Sequence, residues 1–264
     1  MDATLNIAIK AAREAGKIIA RAADHPKSLT VTEKGHNNFV TEIDQAAEAA
    51  IMQVISEAYP THSFLTEESG QIDQSNTDAV WIIDPLDGTT NFIHGLPNYV
   101  VSIAFRFKGV VEYGVIYHPL TQDLFVAARG QGAQLNGKRI RVSSQTKFDG
   151  ALVSIGLPRP IEYLPAYIGL NQAFHGQIAG IRRCGATALE LAYIAAGMLD
   201  IFWNIDSKIW DIAAGALLVK EAGGIVTDIH GGEGYWEHGN IIAGAPKMIK
   251  PMLQLLHQHL PKGV

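Results

Sequence analysis

The stretch Trp81-Ile82-Ile83-Asp84-Pro85-Leu86-Asp87-Gly88-Thr89-Thr90-Asn91-Phe92 sets two carboxylates three residues apart directly behind an apolar run. Val80 to Ile83 suits a buried strand. Pro85 cannot donate to a sheet and pushes Asp84 towards an extended backbone, so the strand should end there. Gly88 permits a sharp bend, and Thr89 and Thr90 are candidates to cap a following helix. Such a strand end offers two carboxylates, the Leu86 carbonyl and the Thr89 hydroxyl. All are oxygen donors of the kind a hard divalent cation such as magnesium prefers. A helix starting at Thr89 or Thr90 would add exposed amides able to hold an anion. Metal and phosphate would then meet at one turn. A solvated Asp-Pro-x-Asp-Gly turn is the competing reading, because these residue types favour turns for conformational reasons alone. Against it stands the position of the acids, behind an apolar strand where uncompensated charge is costly.

Elements on both sides must position this stretch. Asp2 is a plausible N-cap for a first helix with Leu5, Ala8, Ile9, Ala12, Ala15 and Ile19 on one side. Lys34-Gly35-His36-Asn37-Asn38 reads as a polar loop. Asp44 to Tyr59 repeats a helical pattern closed by Pro60, with Asp44 as its opening residue and simple N-cap. Ser63 to Thr66 reads as a strand delivering Glu67 and Glu68. Alternation sends neighbouring side chains in opposite directions, so one of the two enters the cleft. Gln71 to Asp78 is polar and aperiodic, which predicts a surface loop. Tyr99 to Phe107, Val110 to Tyr117 and Leu124 to Ala128 form an antiparallel meander, and Asn136-Gly137 is a hairpin signal. From Leu152 onward strands and helices alternate, which implies an α/β layer. Helices are predicted around Pro165 to Phe174, from Thr187 to Gly197, from Asp211 to Gly223-Gly224, and over Lys247 to His259. The spacing predicts an α+β lobe over 1–142 and an α/β lobe over 143–264, with the polar run Ser143 to Gly150 near the passage between them.

Composition narrows the function classes. In 264 residues, 47% are hydrophobic and 18% charged, the balance of a globular chain. A formal net charge of -5 argues against a general nucleic-acid binder, since phosphate contacts need a basic face. A local basic patch that recruits a protein partner remains compatible with it. Cys184 is the single cysteine and cannot form an internal disulfide, which suits a reducing compartment. Residues 1–24 mix Lys10, Arg13, Glu14, Lys17 and Arg21 into the apolar pattern, so no cleavable signal is expected. No apolar run reaches the length of a bilayer span. A cytoplasmic protein is expected.

Asp84-Pro85-Leu86-Asp87-Gly88-Thr89, preceded by Glu67-Glu68-Ser69 and followed by Trp210-Asp211 and Glu221-Ala222-Gly223-Gly224, resembles the inositol monophosphatase family, its bacterial members most. The resemblance runs through nearly the whole chain, and three separated segments agree in order and spacing. It implies a layered αβαβα sandwich of the sugar-phosphatase kind, a homodimer and inhibition by lithium. It also implies that Glu67, Asp84, Asp87 and Asp211, with the Leu86 carbonyl, surround two magnesium ions, Glu68 being structural. Taken alone, Asp211 is better read as a helix cap; its place after Trp210 makes it the last metal-binding acid. Four acids so close repel one another, so the metal-free site should be strained or partly protonated.

By the same resemblance Asp44 lies near a third, weaker metal and pairs with Thr89 to orient or deprotonate water. Amides at Gly88 and Thr89 would hold phosphate oxygens. Asp87, Gly185, Ala186 and Thr187 match positions that touch polyol hydroxyls, with Arg182 beside them; Arg182 and Arg183 read equally as surface or interface charges. Seven residues before Asp211 the family usually carries a glutamate, and here stands Asn204. An amide still pairs with hydroxyls but forgoes the stronger charge-assisted bond. Asp206 is close enough in sequence to substitute. No serine, cysteine or histidine nucleophile stands out, so direct attack by water on a small-molecule phosphate ester is expected, with myo-inositol 1-phosphate foremost. Fructose 1,6-bisphosphate, histidinol phosphate and an adenosine bisphosphate are rival substrates. A rival of another class is a partner protein of the transcription antitermination machinery, which need not use the metal site.

Overall fold

The computed structural model describes residues 2–23, 31–35, 38–158 and 160–260. Helix α1 (Ala3–Ala23) starts where the Asp2 carboxylate accepts the Thr4 amide at 2.8 Å, and it buries the apolar stripe from Leu5 to Ile19. Two short strands, β1 (Val31–Gly35) and β2 (Asn38–Thr41), pair antiparallel where the sequence reads as a loop. The middle of that loop, His36-Asn37, lies outside the described residues. Helix α2 (Glu42–Ala58) begins two residues earlier than its apolar period suggests. Its N-cap is Thr41, and Asp44 sits in the first turn, reaching back to the Thr41 amide at 2.8 Å. The expectation that Asp44 is itself the cap is thereby corrected. A capping box uses both residues, because the cap hydroxyl serves the helix amides while the acid serves the cap.

An eight-stranded sheet follows, in the order β10-β9-β8-β7-β6-β5-β3-β4. Its members are β3 (His62–Thr66), β4 (Gly70–Ile72), β5 (Asn76–Asp87), β6 (Val100–Phe107), β7 (Val110–Tyr117), β8 (Leu124–Ala128), β9 (Gly132–Leu135) and β10 (Lys138–Arg139). The stretch from Gln71 to Asp78, expected as a loop, contributes β4 and the start of β5. Polar side chains here signal an edge position with one wet face, which propensity does not separate from a loop. Strand β5 also runs past Pro85 to Asp87. Its pairing with β6 slips between Asp84 and Asp87, so the proline sits in a bulge where no ladder amide is required. Asn136 and Gly137 both have positive φ, as a tight hairpin turn requires.

A five-stranded sheet, β12-β11-β13-β15-β14, is built from β11 (Leu152–Ile155), β12 (Gly180–Arg182), β13 (Ile201–Asn204), β14 (Ile225–Thr227) and β15 (Ile241–Gly244). Strand β11 runs parallel to β12 and β13, and β15 antiparallel to β13 and β14. The helices of this half are α4 (Leu164–Phe174), α5 (Thr187–Ala195), α6 (Ile209–Glu221), the short α7 (Tyr235–His238), not anticipated from periodicity, and α8 (Pro246–His257). The five-residue α3 (Thr89–Ile93) follows β5.

Three buried clusters show how the layers stack. Trp81, Ile83, Val101 and Ile103 face α1 and α2. Their alternates Val80, Ile82, Val100 and Ala104 face α5 and α6, whose other side meets Phe202, Val226 and Ala243 of the second sheet. The far face of that sheet, Val153, Ile201, Trp203 and Ile242, packs on α4 and α8. The result is the expected αβαβα sandwich. A strand buried on both faces loses its polar alternation, which is why Val80–Ile83 reads as one apolar run.

Helix α6 is latched to the large sheet at its C-terminal end. The two oxygens of Glu221 accept the Gly130 and Gly132 amides, each at 2.7 Å. Charge-assisted bonds of this kind exceed neutral ones. Glu221→Ala should lower unfolding stability by about 1–2 kcal/mol, read from urea midpoints, because two amides lose an ionised acceptor at a partly wet site.

Candidate metal centre

Three elements deliver the acids to one place. Glu67 follows β3, whose last residue Thr66 pairs with Ile83, and the Glu67 amide donates to the Ile83 carbonyl at 3.1 Å. That bond sets Glu67 beside Asp84. Asp84 pairs with Ser102 of β6, and the Ser102 hydroxyl donates to the Trp210 carbonyl at 3.1 Å. The next residue is Asp211, in the first turn of α6, where its carboxylate accepts the Lys208 amide at 2.9 Å. Asp211 therefore follows its helix cap instead of being it. Glu67, Asp84, Leu86, Asp87, Gly88, Thr89 and Asp211 all line one cavity of about 300 Å³, with Gly185, Thr187 and Asn204 on the opposite wall.

Electrostatics mark the same place. Asp84 is 2% exposed, and its carboxyl is held well above the usual range by burial, then by Glu67, Asp87 and Asp211. Burial also holds Asp87 well above that range, followed by repulsion from Asp211; the Ala188 amide acts in the opposite direction. Among the described residues no group of three or more His, Cys, Asp or Glu side chains is already gathered into a cage for a metal ion. The acids instead lean on backbone donors: Asp84 accepts the Leu86 amide at 3.0 Å and Asp87 the Ala188 amide at 2.6 Å. The donor set, four carboxylates and a carbonyl, fits a hard divalent ion and lacks the soft ligands of zinc or copper sites.

Thr89 does not cap α3. Gly88 holds the cap position at φ 101°, and a Cβ there would lie 2.6 Å from the Asn98 carbonyl, so the turn requires glycine. The Thr89 hydroxyl is left to bridge two acceptors, the Asp44 carboxylate at 2.9 Å and the Leu86 carbonyl at 3.1 Å. Asp44 is 1% exposed, and burial raises its carboxyl despite hydrogen bonds from Thr41 and Thr89. Asp44 therefore touches the site through Thr89.

On the opposite wall the arginines exchange places. Arg183 lines the cavity, whereas Arg182 is exposed outside it and bonds the Ile181 carbonyl. Ala186 is buried behind the wall against Gly88. Asn204 donates to Ser207 Oγ at 2.9 Å and approaches Thr187 Oγ1 at 3.4 Å. Asp206 lines the cavity but pairs with Lys208 at 2.9 Å, so its charge is already met. Burial pushes the Cys184 thiol up to about 11, far from the range of a nucleophilic cysteine. Glu190, which also lines the cavity, was missed by motif reading. Its signal was a lone acid within the apolar helix Thr187-Ala-Leu-Glu-Leu-Ala. No helix among the described residues is long and apolar enough to cross a membrane.

Comparison with known proteins agrees with this geometry. The chain is 48% identical over 261 residues to Nus factor SuhB of Escherichia coli strain K12, covering 98% of each. The crystal structure of the extragenic suppressor protein suhB from Bartonella henselae superposes with a TM-score of 0.94 at 40% identity, covering all of both chains. An inositol monophosphatase from Anabaena superposes at 0.86 with 33% identity, covering 98% of this chain and 96% of that one. The model of the inositol monophosphatase family matches residues 1–260, and the chain belongs to that family.

Proposed function

We propose that this chain hydrolyses a small polyol phosphate monoester, myo-inositol 1-phosphate foremost, with magnesium as its cofactor. The observation that carries the reading is the convergence of Glu67, Asp84, Asp87 and Asp211 on one cavity that also holds the Thr89 hydroxyl. Glu67, Asp84, Asp87, Asp211 and the Leu86 carbonyl would hold the ions. Magnesium, when bound, supplies charge neutralisation and makes water more acidic than in bulk. The Thr89 hydroxyl donates its proton to Asp44 or Leu86, which leaves its oxygen able to accept a hydrogen bond from the attacking water. As the new P–O bond forms, the water proton moves towards Thr89 and the Thr89 proton towards Asp44. The ester P–O bond breaks in line, the leaving alkoxide takes a proton from solvent water, and Asp44 returns its proton to solvent, so the cycle balances. Gly88 and Thr89 amides receive phosphate oxygens, and Asn204, Thr187, Gly185 and Arg183 face the polyol.

The test is phosphate release from myo-inositol 1-phosphate with and without magnesium, with Asp87→Asn as control. Release should require the metal and fall about a thousandfold in the variant, the loss of several kcal/mol of charge stabilisation. Equal rates on fructose 1,6-bisphosphate, histidinol phosphate and an adenosine bisphosphate would defeat the inositol assignment. Lithium inhibition and a homodimer belong to the same reading.

A second reading rests on the relatives named Nus factor, whose 48% identity spans nearly the whole chain. In it the protein serves as a partner in transcription antitermination. A pull-down of transcription proteins with wild type and Asp87→Asn decides between shared and separate surfaces: equal capture by the inactive variant supports a role independent of the metal centre.

A further inference from the structure

The wall opposite the carboxylates is a loop, and a loop facing a substrate needs something to hold it. One residue of that loop, Cys184, is gripped at both of its backbone polar groups. The Cys184 amide donates to Glu190 Oε1 at 2.7 Å, and the Cys184 carbonyl accepts Asn91 Nδ2 at 2.8 Å. Glu190 lies on α5, is 3% exposed, and also accepts the Ser154 hydroxyl of β11 at 2.9 Å. Asn91 lies on α3, two residues after Thr89, and its Nδ2 also donates to the Asn98 carbonyl at 2.7 Å. One grip therefore comes from the carboxylate turn and the other from the second sheet. Next in the chain, Gly185 has φ +75°, and a Cβ there would lie 3.2 Å from Asn91 Nδ2, so the loop follows the Asn91 amide closely. Nothing in the hydrolytic chemistry uses either side chain directly.

We infer that Asn91 and Glu190 are positioning residues that clamp the Cys184 backbone, one on each side of its Cα, and so lock the substrate-facing loop to the carboxylate turn. This inference rests on the phosphatase reading for its kinetic consequence, though not for its structural one. Each grip satisfies a backbone group that otherwise loses its partner, and a part-buried peptide without partners shifts until it finds water. Register between the two walls would then be lost. Ester binding would weaken, while the acids and Thr89 stay in place.

The single cysteine supplies a readout that needs neither metal nor substrate. Its thiol is half-buried and pushed up to about 11, so it should react slowly with an aromatic disulfide reagent in the wild-type protein. In Asn91→Ala and Glu190→Ala, labelling of Cys184 should accelerate about fivefold or more as the loop loosens. With magnesium, KM for the ester should rise about tenfold with kcat changed no more than about threefold. Glu190→Gln keeps an acceptor oxygen for Cys184 and should turn over like wild type; it lacks the charge that helps hold the thiol up, so it should label somewhat faster than wild type but more slowly than Glu190→Ala. Glu221→Ala, which loses two amide bonds at the far end of α6 from Asp211, should label like wild type and controls for general destabilisation. Unchanged labelling in both alanine variants overturns the clamp, as does a loss confined to kcat. A wild type that releases no phosphate from any ester overturns the phosphatase reading alone, and the labelling still decides the clamp.

Discussion

Replacing Asp84 with asparagine should remove turnover and, in metal-free protein, raise stability. Both effects have one cause. Asp84 is buried among Glu67, Asp87 and Asp211, and its ionised form is disfavoured by burial and by all three neighbours. Asparagine keeps an oxygen to accept the Leu86 amide but carries no charge. Relief of an unpaired buried charge is worth on the order of 2–3 kcal/mol, visible as a higher melting temperature in EDTA. Turnover should fall about a thousandfold, because the lost charge is one that holds the cation. A variant that melts lower than wild type in EDTA would show that Asp84 is paired and not repelled.

The same acids set a pH dependence. A carboxyl whose native value is raised holds its proton more tightly folded than unfolded. Its contribution is complete below the ordinary 3.8 and is lost as pH rises through the raised native value. Asp44 and Glu190, both raised by burial, act in the same direction. Metal-free protein should therefore melt at higher temperature in mildly acidic than in mildly alkaline buffer. Magnesium should reverse the trend, since it binds the ionised acids of the native state only.

The second large effect belongs to the Asp44–Thr89 pair. Asp44 Oδ2 faces two donors, the Thr41 amide and hydroxyl at 2.8 and 2.6 Å, and Oδ1 faces the Thr89 hydroxyl. Asparagine has only one oxygen. Its amide nitrogen can face Thr89, whose hydroxyl then accepts from it and donates to the Leu86 carbonyl alone. Asp44→Asn should change stability by about 1 kcal/mol or less, since each buried group keeps a partner. It should also lower kcat about a hundredfold, because Thr89 loses the acceptor that takes its proton. Thr89→Ala should reproduce the kcat loss and cost about 1–2 kcal/mol of stability, because the buried Asp44 Oδ1 loses its donor. The double variant should be no slower than the worse single one, as for groups that act as a unit. Additive losses in the double variant would separate the two residues.

Much of this architecture was legible before any coordinates. The stripe on α1, the meander from β6 to β8, the Asn136-Gly137 turn and the helix-strand alternation after Leu152 all follow from period and turn chemistry. Where local reading went astray, a distant partner had overridden a local preference. Pro85 did not end β5, because the bulge against β6 gave it a place without an amide requirement. Thr89 did not cap its helix, because Gly88, packed against the Asn98 carbonyl, takes the cap position and leaves Thr89 as the first helical residue. The stretch after Gly70 became a strand because β3 supplied the ladder.

By itself the sequence determined which groups exist and how they are locally presented: acids behind an apolar strand, a glycine at the bend, a helix from Thr187 and another opening at Asp211. Such features arise from backbone sterics and side-chain period within a few residues, so they need no fold to be read. Only the tertiary structure decided that Glu67 lies beside Asp84, that Asp87 meets the Ala188 amide, that Arg183 and not Arg182 faces the cavity, and that Asn91 and Glu190 hold the backbone of one residue. Those outcomes depend on strand register and on which face of a helix is buried. One residue of slip in either exchanges inside for outside, and packing of the whole sandwich is what forbids the slip.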